Sequence, residues 1–316
     1  MSASTAVQSP LGGTGRFEHE AVLYRDQADY AVQVGRFVSS RVARGSPVLV
    51  AVPARQRDWL WDVVDHGGGS DWQMVDMSDL GANPARIIPA VRAFFDAHAG
   101  EPLSVVGESA WTGSPEQLGE MMVHEALVNV AFAGEAATFL CPYDTGRLPE
   151  QVLDQAARTH PLIRRDGQQR ISEQYTDPGT RWVQAGQLDR APARAAVMQF
   201  DMGTLLAARR LVCQAATRAG LSGERTDELT LAVWEIATNS VYHAGGTGTL
   251  SCWTDPTAVL CQITDTGHLS DPLAGRRRPA GLATSGWGLY LANQLVDLLQ
   301  ISTGPQGTTT RLRVDR

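Results

Sequence analysis

The sequence predicts two domains of different class: a doubly wound α/β domain with a mostly parallel sheet, then an α+β domain. Three observations carry this. The chain has 316 residues, too many for one ordinary core and about right for two. Residues 17 to about 165 alternate short β-rich runs with helical ones, the pattern of strands joined by crossover helices. After residue 200 the order becomes helix, helix, hairpin, loop, helix, hairpin. Between the two lies a stretch rich in Pro, Gly and polar residues, which reads as a linker. The predicted divisions are a flexible lead-in (1–16), a first domain (17–175), a linker (176–200) and a second domain (201–316).

In the first domain "EAVLY", "PVLVAVP", "WQMVDM", "LSVVGES" and "ATFLCPYD" read as strands. Between and after them "DYAVQVGRFVSSRVARG", "ARQRDWLWDVVDHGGG", "PARIIPAVRAFFDAHAG", "PEQLGEMMVHEALVNVAFAG" and "LPEQVLDQAARTH" read as helices. Ligands of such sheets sit beyond the carboxyl ends of the strands, and those ends carry Tyr24, Asp76, Glu108, Trp111, Tyr143 and Asp144. In the second domain a helix ends at Gly220 and a long one runs from about Glu224 to His243. Strands "GTLSCWT" and "AVLCQITD" follow, turning at Asp255 and Pro256. A Gly/Pro/Arg-rich stretch leads to a helix "GLYLANQLVDLL", a short strand "QIST" and a last strand "TTTRLRV".

Composition excludes several functions. All 27 basic residues are arginine. Without lysine there is no P-loop, no ordinary protein-kinase strand lysine and no Schiff-base chemistry, so the early "LGGTGR" reads only as a flexible lead-in. No apolar run approaches the roughly 20 residues of a membrane span, and no basic start precedes an apolar block; a cytoplasmic protein is expected. The four cysteines, Cys141, Cys213, Cys252 and Cys261, show no CxxC spacing, which indicates neither a zinc site nor a disulfide framework. Cys252 and Cys261 can face each other across the hairpin as buried thiols. The net charge is −7, and residues 191–316 hold 11 arginines against 10 acids, so the acidic excess lies in the first part. No basic nucleic-acid face is indicated.

The chemistry concentrates in the second domain. "WEIATNSVYHAGG" sets Glu235, Asn239 and His243 four apart, on one stripe of a helix, roughly 6 Å between neighbours. "ITDTGHLSDP" places Asp265 and Gly267 where the chain leaves a strand; a carboxylate there can accept the amino hydrogens of adenine, and a glycine lets a flat base approach. "SGWGLYLANQLVD" opens a helix with Gly286 and Gly288, offering free backbone N–H groups to phosphate. "GPQGTTTRL" supplies Gly307 and Thr308, whose hydroxyl can reach the base or its water. Asn239 can give an amide oxygen to magnesium, with Glu235 one turn away as a general base. Each box alone is weak; four in this order are not.

On these boxes residues 201–315 resemble the GHKL ATPases, the histidine-kinase-like domain of the Bergerat fold. "EIATNSVYH" is most similar to the N-box of bacterial anti-sigma-factor serine kinases. The resemblance implies an α/β sandwich binding Mg-ATP. Glu235 would be the catalytic base, Asn239 the magnesium ligand, and Asp265, Gly267, Gly286, Gly288 and Thr308 nucleotide contacts. It also implies a serine or threonine acceptor on an anti-anti-sigma (STAS-type) protein, with the same surface able to hold a sigma factor. Two departures stand out. "GHL" (His268, Leu269) replaces the second glycine that relatives often have. The lid carries "AGRRRP", whose Arg276, Arg277 and Arg278 are expected either to contact the γ-phosphate or a partner, or to form a solvated loop. His243 is expected to pack against the helix end.

A second acid-to-amide match, Glu125 and Asn129 in "HEALVNVAF", has no glycine boxes behind it and is expected to be the polar edge of an amphipathic helix. The first domain resembles the MEDS domain, the sensory module named for methanogen and methylotroph DcmR-like regulators, through "HEAVLYRD", "VGESAW" and "LCPYD". That implies sensing of a small-molecule or protein signal. The reading is a sensor-regulated serine kinase acting by partner switching, with a homodimer left open. Two rivals are an ATP-holding sequestration module and an orphan histidine kinase. The latter needs a phosphoacceptor hidden at His19-Glu20 or His124-Glu125, since the linker is too short and too rich in Pro and Gly for a phosphoacceptor hairpin.

Overall fold

The computed structural model describes residues 16–64, 72–110, 114–176, 188–279 and 286–316. The first sheet has strands β1 Glu18–Tyr24, β2 Val48–Val52, β3 Trp72–Asp76, β4 Leu103–Gly107, β5 Ala137–Asp144, β6 Leu162–Arg165 and β7 Gln168–Ile171. Their order is β3-β2-β4-β5-β1-β6-β7, parallel throughout except for the terminal β6-β7 hairpin. Val48–Val52 is buried at every position, as a continuous apolar run must be in a sheet covered on both faces.

Both faces are covered by helices. On one side lie α1 Gln27–Tyr30, a π-helical turn Ala31–Gly35, α2 Arg36–Val42 and α3 Ala54–Trp61. They pack Tyr30, Val34, Val38 and Leu60 onto Val22, Val50 and Val106. On the other, α4 Met77–Leu80, a 3-10 turn Pro84–Arg86, α5 Ile87–Ala97 and α6 Pro115–Ala131 set Ile88, Val91, Leu127 and Phe132 against Leu49, Val105 and Phe139. Helix α7, Glu150–Thr159, closes a separate, smaller core over Ala21 and Cys141. The start of α6 is fixed by a capping box between Ser114 and Gln117, with Pro115 in the first turn.

The second domain is a two-layer sandwich. Strands β8 Ala196–Asp201, β9 Thr247–Thr254, β10 Ala258–Asp265, β11 Leu298–Gly304 and β12 Gly307–Asp315 form an antiparallel sheet in the order β11-β12-β10-β9-β8. Helices α8 Leu205–Arg218, α9 Gly223–His243 and α10 Trp287–Leu295 bury Val212, Leu229, Val233, Ile236 and Ala292 against Leu250, Ile263, Leu312 and Val314.

Some boundaries differ from the sequence reading. Ala196–Asp201, expected as the end of the linker, is the edge strand β8; its one fully buried side chain, Phe200, lies over Gly248, where a methyl group would come within 2.5 Å of the ring. An edge strand that buries one residue leaves no alternating pattern to detect. The last helix stops at Leu295 instead of running through Leu299, because Asp297 N–H bonds the Arg313 carbonyl at 3.0 Å and Leu298 already pairs with Arg313 in the sheet. Cys252 and Cys261 do face each other, as free buried thiols 3.5 Å apart. No helix among the described residues is long and apolar enough to cross a membrane. Trp111 and the glycines of the lead-in lie outside the described residues.

Candidate functional site

A cleft of about 100 Å³ opens between α9 and the ends of β10 and β12, lined by Ile236, Asn239, Ser240, His243, Asp265, Gly267, Leu289 and Thr308 among others. Asp265 is held from both sides: Ser240 Oγ donates to its Oδ2 at 2.6 Å and Gly267 N–H to its Oδ1 at 2.9 Å. One lone pair on each oxygen therefore remains for a donor in the cleft. Thr308 braces the same turn, donating its hydroxyl to the Gly267 carbonyl at 2.9 Å. The close approach of the two strands depends on Gly307, where a side chain would lie 2.0 Å from the Asp265 carbonyl oxygen at φ +124°. Four apolar side chains, of Ile236, Ala244, Leu269 and Leu289, flank this polar edge, the arrangement that a planar base with hydrogen-bonding rim requires.

The other side of the cleft is built by α10. Gly286 caps it at φ +90°, and Gly288 in its first turn lies against α9 so closely that a methyl group there would sit 2.9 Å from Glu235 Oε2 and 3.1 Å from Asn239 Nδ2. Glu235 and Asn239 thus meet the first turn of α10, where the helix dipole favours anions. His243 is exposed at the rim of the cleft, not packed against the helix end.

Of the three arginines after Asp265, Arg277 and Arg278 lie on the surface as a solvated loop would have them, and Arg276 does not. Arg276 is buried and donates to Glu120 on α6 of the first domain at 2.5 Å. Arg277 pairs with Asp271 at 3.2 Å on the surface, and Arg278 is exposed. Leu273 is 2 % exposed and belongs to the first domain's core, beside Met77, Ile87 and Met121. Nearby, Asn83 and Arg86 of the first domain reach the far end of α10: Arg86 donates to the Asn293, Gln294 and Val296 carbonyls at 3.1, 3.0 and 2.8 Å, and Asn83 to Asn293 O at 3.0 Å. The last carbonyls of a helix have no partner within it; here the other domain supplies them. Nothing in the sequence pattern announced Glu120, Asn83 or Arg86, since each finds its partner across some 150 to 210 positions of chain.

The other acid-to-amide pair corrects the expectation made for it. Glu125 and Asn129 are not a solvated edge; they are 4 % and 9 % exposed. They face a cluster in which His19 Nε2 lies 3.7 Å and His160 Nε2 3.5 Å from Glu125 Oε2, with Cys141 Sγ 3.4 Å from His19 Nε2. Burial pushes the Glu125 carboxyl up to about 8 and pulls His160 down to about 4. A small cavity of about 30 Å³ adjoins, lined by Ser109, His124, Glu125, Cys141 and apolar side chains. The carboxyl ends of the strands are instead closed by a buried network. Tyr24 and Gln56 donate to Glu108 Oε1 at 2.7 and 2.8 Å, and burial raises the Glu108 carboxyl to about 8. Asp144 caps its own turn through Gly146 N–H at 3.0 Å.

Fold and cleft together define an α/β sandwich with a polar-edged cleft, joined to a doubly wound α/β domain. Residues 198–314 match the family model of the histidine kinase-like ATPase domain. Residues 18–161 match MEDS, the MEthanogen/methylotroph, DcmR Sensory domain. The chain carries these two domains in that order, and the second implies ATP as a ligand. Among solved structures, the RsbU and RsbW domains of Rv1364c from Mycobacterium tuberculosis are 19% identical over 40% of this chain and 34% of that one, with a TM-score of 0.30. The chain thus spans about a third of that protein, an overlap too slight to bear on function. No curated protein matches.

Proposed function

We propose that the protein is a protein serine/threonine kinase of the anti-sigma type, regulated by its sensory domain. The reading is carried by one observation: Glu235 and Asn239 of α9 converge on Gly288 in the first turn of α10, while Asp265 is anchored across the same cleft from Asn239. Asp265 would accept the adenine amino group, the Gly286 to Gly288 backbone would face the phosphates, and Thr308 would hold the turn that carries Gly267. The donor set fits magnesium, a hard cation that takes one or two protein oxygens and keeps its waters; the Asn239 amide oxygen would hold it, and when bound it would neutralise triphosphate charge. Glu235 would take the proton from the incoming serine hydroxyl.

The acceptor we propose is an anti-anti-sigma protein of the STAS type, in the cytoplasm, with sigma-factor control following by partner switching. The N-box "EIATNSVYH" supports that assignment. The first domain's grip on Leu273, Arg276 and the end of α10 supports regulation, because the lid and the phosphate-facing helix are both touched by the sensor. The histidine-kinase alternative is disfavoured by burial: His19 and His124 are 1 % and 5 % exposed and offer no nitrogen to a nucleotide. The test pairs two measurements on Glu235→Gln, nucleotide affinity by fluorescence and radiolabel transfer to a purified STAS-type partner. Retained affinity with transfer lower by roughly 10²- to 10⁴-fold, the usual worth of a positioned base, is expected. Transfer near the wild-type level would leave sequestration as the better account.

A further inference from the structure

The buried cluster in the first domain has four ligand-type atoms from four separate segments: His19 on β1, Glu125 on α6, Cys141 on β5 and His160 just after α7. All four lie within 4.8 Å of one another. We propose that these residues form a site for one divalent transition-metal ion, with zinc the best match.

The first argument is the orientation of the rings. His19 Nδ1 lies 3.1 Å from Asn129 Oδ1. The Asn129 amide nitrogen already donates to the Thr159 carbonyl at 2.8 Å, so its oxygen faces His19 and must accept. His160 Nδ1 lies 2.9 Å from the Ala156 carbonyl, which can only accept. Both rings therefore carry their proton on Nδ1 and turn a lone pair on Nε2 toward Glu125. Metal-binding histidines are oriented in this way, the far N–H fixed by a carbonyl or amide oxygen.

The second argument is what those lone pairs face. Two imidazole nitrogens and the Glu125 carboxyl converge, and the Cys141 thiol can donate to His19 Nε2. A proton on Glu125 can serve one ring at a time, and His160 Nε2 is buried with no hydrogen-bond partner. An ion satisfies every one of them. A tetrahedral ion with ligand distances of about 2.0–2.3 Å sets neighbouring ligand atoms about 3.3–3.8 Å apart; His19 to Cys141, His160 to Glu125 and His19 to Glu125 stand at 3.4, 3.5 and 3.7 Å, and every other pair lies within 4.8 Å. Charge selects the class of ion. A carboxylate and a thiolate with two neutral imidazoles are neutralised by a dication, so the buried site would carry no net charge. Imidazole and thiolate donors favour zinc and its first-row neighbours over calcium or magnesium.

The test uses the whole 316-residue chain, stripped with chelator, loaded with zinc chloride, desalted and assayed for metal by mass spectrometry. Cobalt(II) is loaded in parallel as a spectroscopic probe. One ion per chain should survive desalting, and cobalt should show a thiolate-to-metal charge-transfer band. Glu125→Gln, nearly isosteric, should lower metal retention more than tenfold with an unchanged circular dichroism spectrum. Cys141→Ala should remove the charge-transfer band, and the exposed Cys213→Ser should change neither reading. Folded wild-type protein that retains no zinc, or a cobalt band that persists in Cys141→Ala, would overturn the proposal. If the Cys141 variant fails to fold, the wild-type spectrum decides: a cobalt complex without thiolate character refutes the site.

Discussion

The contact between Arg276 and Glu120 makes a prediction about the lid that runs against simple contact counting. Both side chains are buried, and burial raises the Glu120 carboxyl even though the Arg276 guanidinium opposes it. The pair is thus one whose desolvation cost is large beside its Coulomb gain. Removing one partner leaves the other charge stranded, at about 3–5 kcal/mol, or roughly 10²- to 10⁴-fold in the equilibrium between a docked and a lifted lid. The two single variants should not be equal. Glu120→Leu strands a guanidinium that cannot lose its proton; Arg276→Leu strands a carboxyl that burial has already shifted toward its neutral form, at smaller cost. The double variant, two leucines facing each other beside Leu273, should restore docking, since apolar replacement of a buried pair is often neutral or stabilising. Hydrogen exchange of residues 271–279 reads this directly. The Arg276 amide, bonded to the Leu273 carbonyl at 2.9 Å, is a suitable reporter. The expected order of protection is wild type and double variant, then Arg276→Leu, then Glu120→Leu. Wild-type protection in Glu120→Leu would show that the pair does not hold the lid.

Four further outcomes are expected. Asp265→Asn should weaken ATP binding by about 1–3 kcal/mol, the cost of an unpaired buried contact, and equal affinity by calorimetry would remove Asp265 from the adenine site. Asn239→Ala should abolish productive Mg-ATP binding in the same assay, whereas Glu125→Ala and Asn129→Ala should leave ATP affinity unchanged; equal losses at both pairs would mean the wrong pair was chosen. Gly288→Ala should separate stability from activity: alanine favours the helix by up to about 1 kcal/mol, yet its methyl group meets Glu235 and Asn239, so the melting temperature should hold or rise while ATP turnover falls. Glu108 bears on pH. Its carboxyl is raised from 4.5 to about 8, so its protonated form is favoured in the fold; that contribution is complete below about pH 4.5 and is lost as pH rises toward 8, at up to about 1.4 kcal/mol per pH unit. Glu108→Gln should flatten this slope in denaturant titrations, and identical pH profiles would refute it.

What the sequence made legible follows from how local each signal is. The five strand-helix alternations and the long helix ending at His243 rest on periodicity within a dozen residues, and both elements form where they were expected. The cleft boxes were legible for a related reason: Asp265 with Gly267, and Gly286 with Gly288, are short-range spacings whose backbone demands are written into glycine itself. Strand β8 was not, because it buries a single side chain.

The two acid-to-amide helices show where such reading stops. Glu235–Asn239 and Glu125–Asn129 share one spacing, and a helix presents both pairs identically. What separates them is what lies opposite. Glu235 meets the backbone of a glycine that opens another helix; Glu125 meets two imidazoles and a thiol brought by β1, β5 and the end of α7, from positions as distant along the chain as His19. Absence of glycine boxes after Asn129 argued against a phosphate site there, but it said nothing about burial, which is set by the sheet beneath α6. The histidine–glutamate pair at His124 and Glu125 was visible in the sequence only as a weak phosphoacceptor motif. In three dimensions the same helix turns Glu125 into the core cluster and Glu120 toward Arg276 of the lid, so that one of the elements joining the two domains is the one whose polar residues no local pattern could explain.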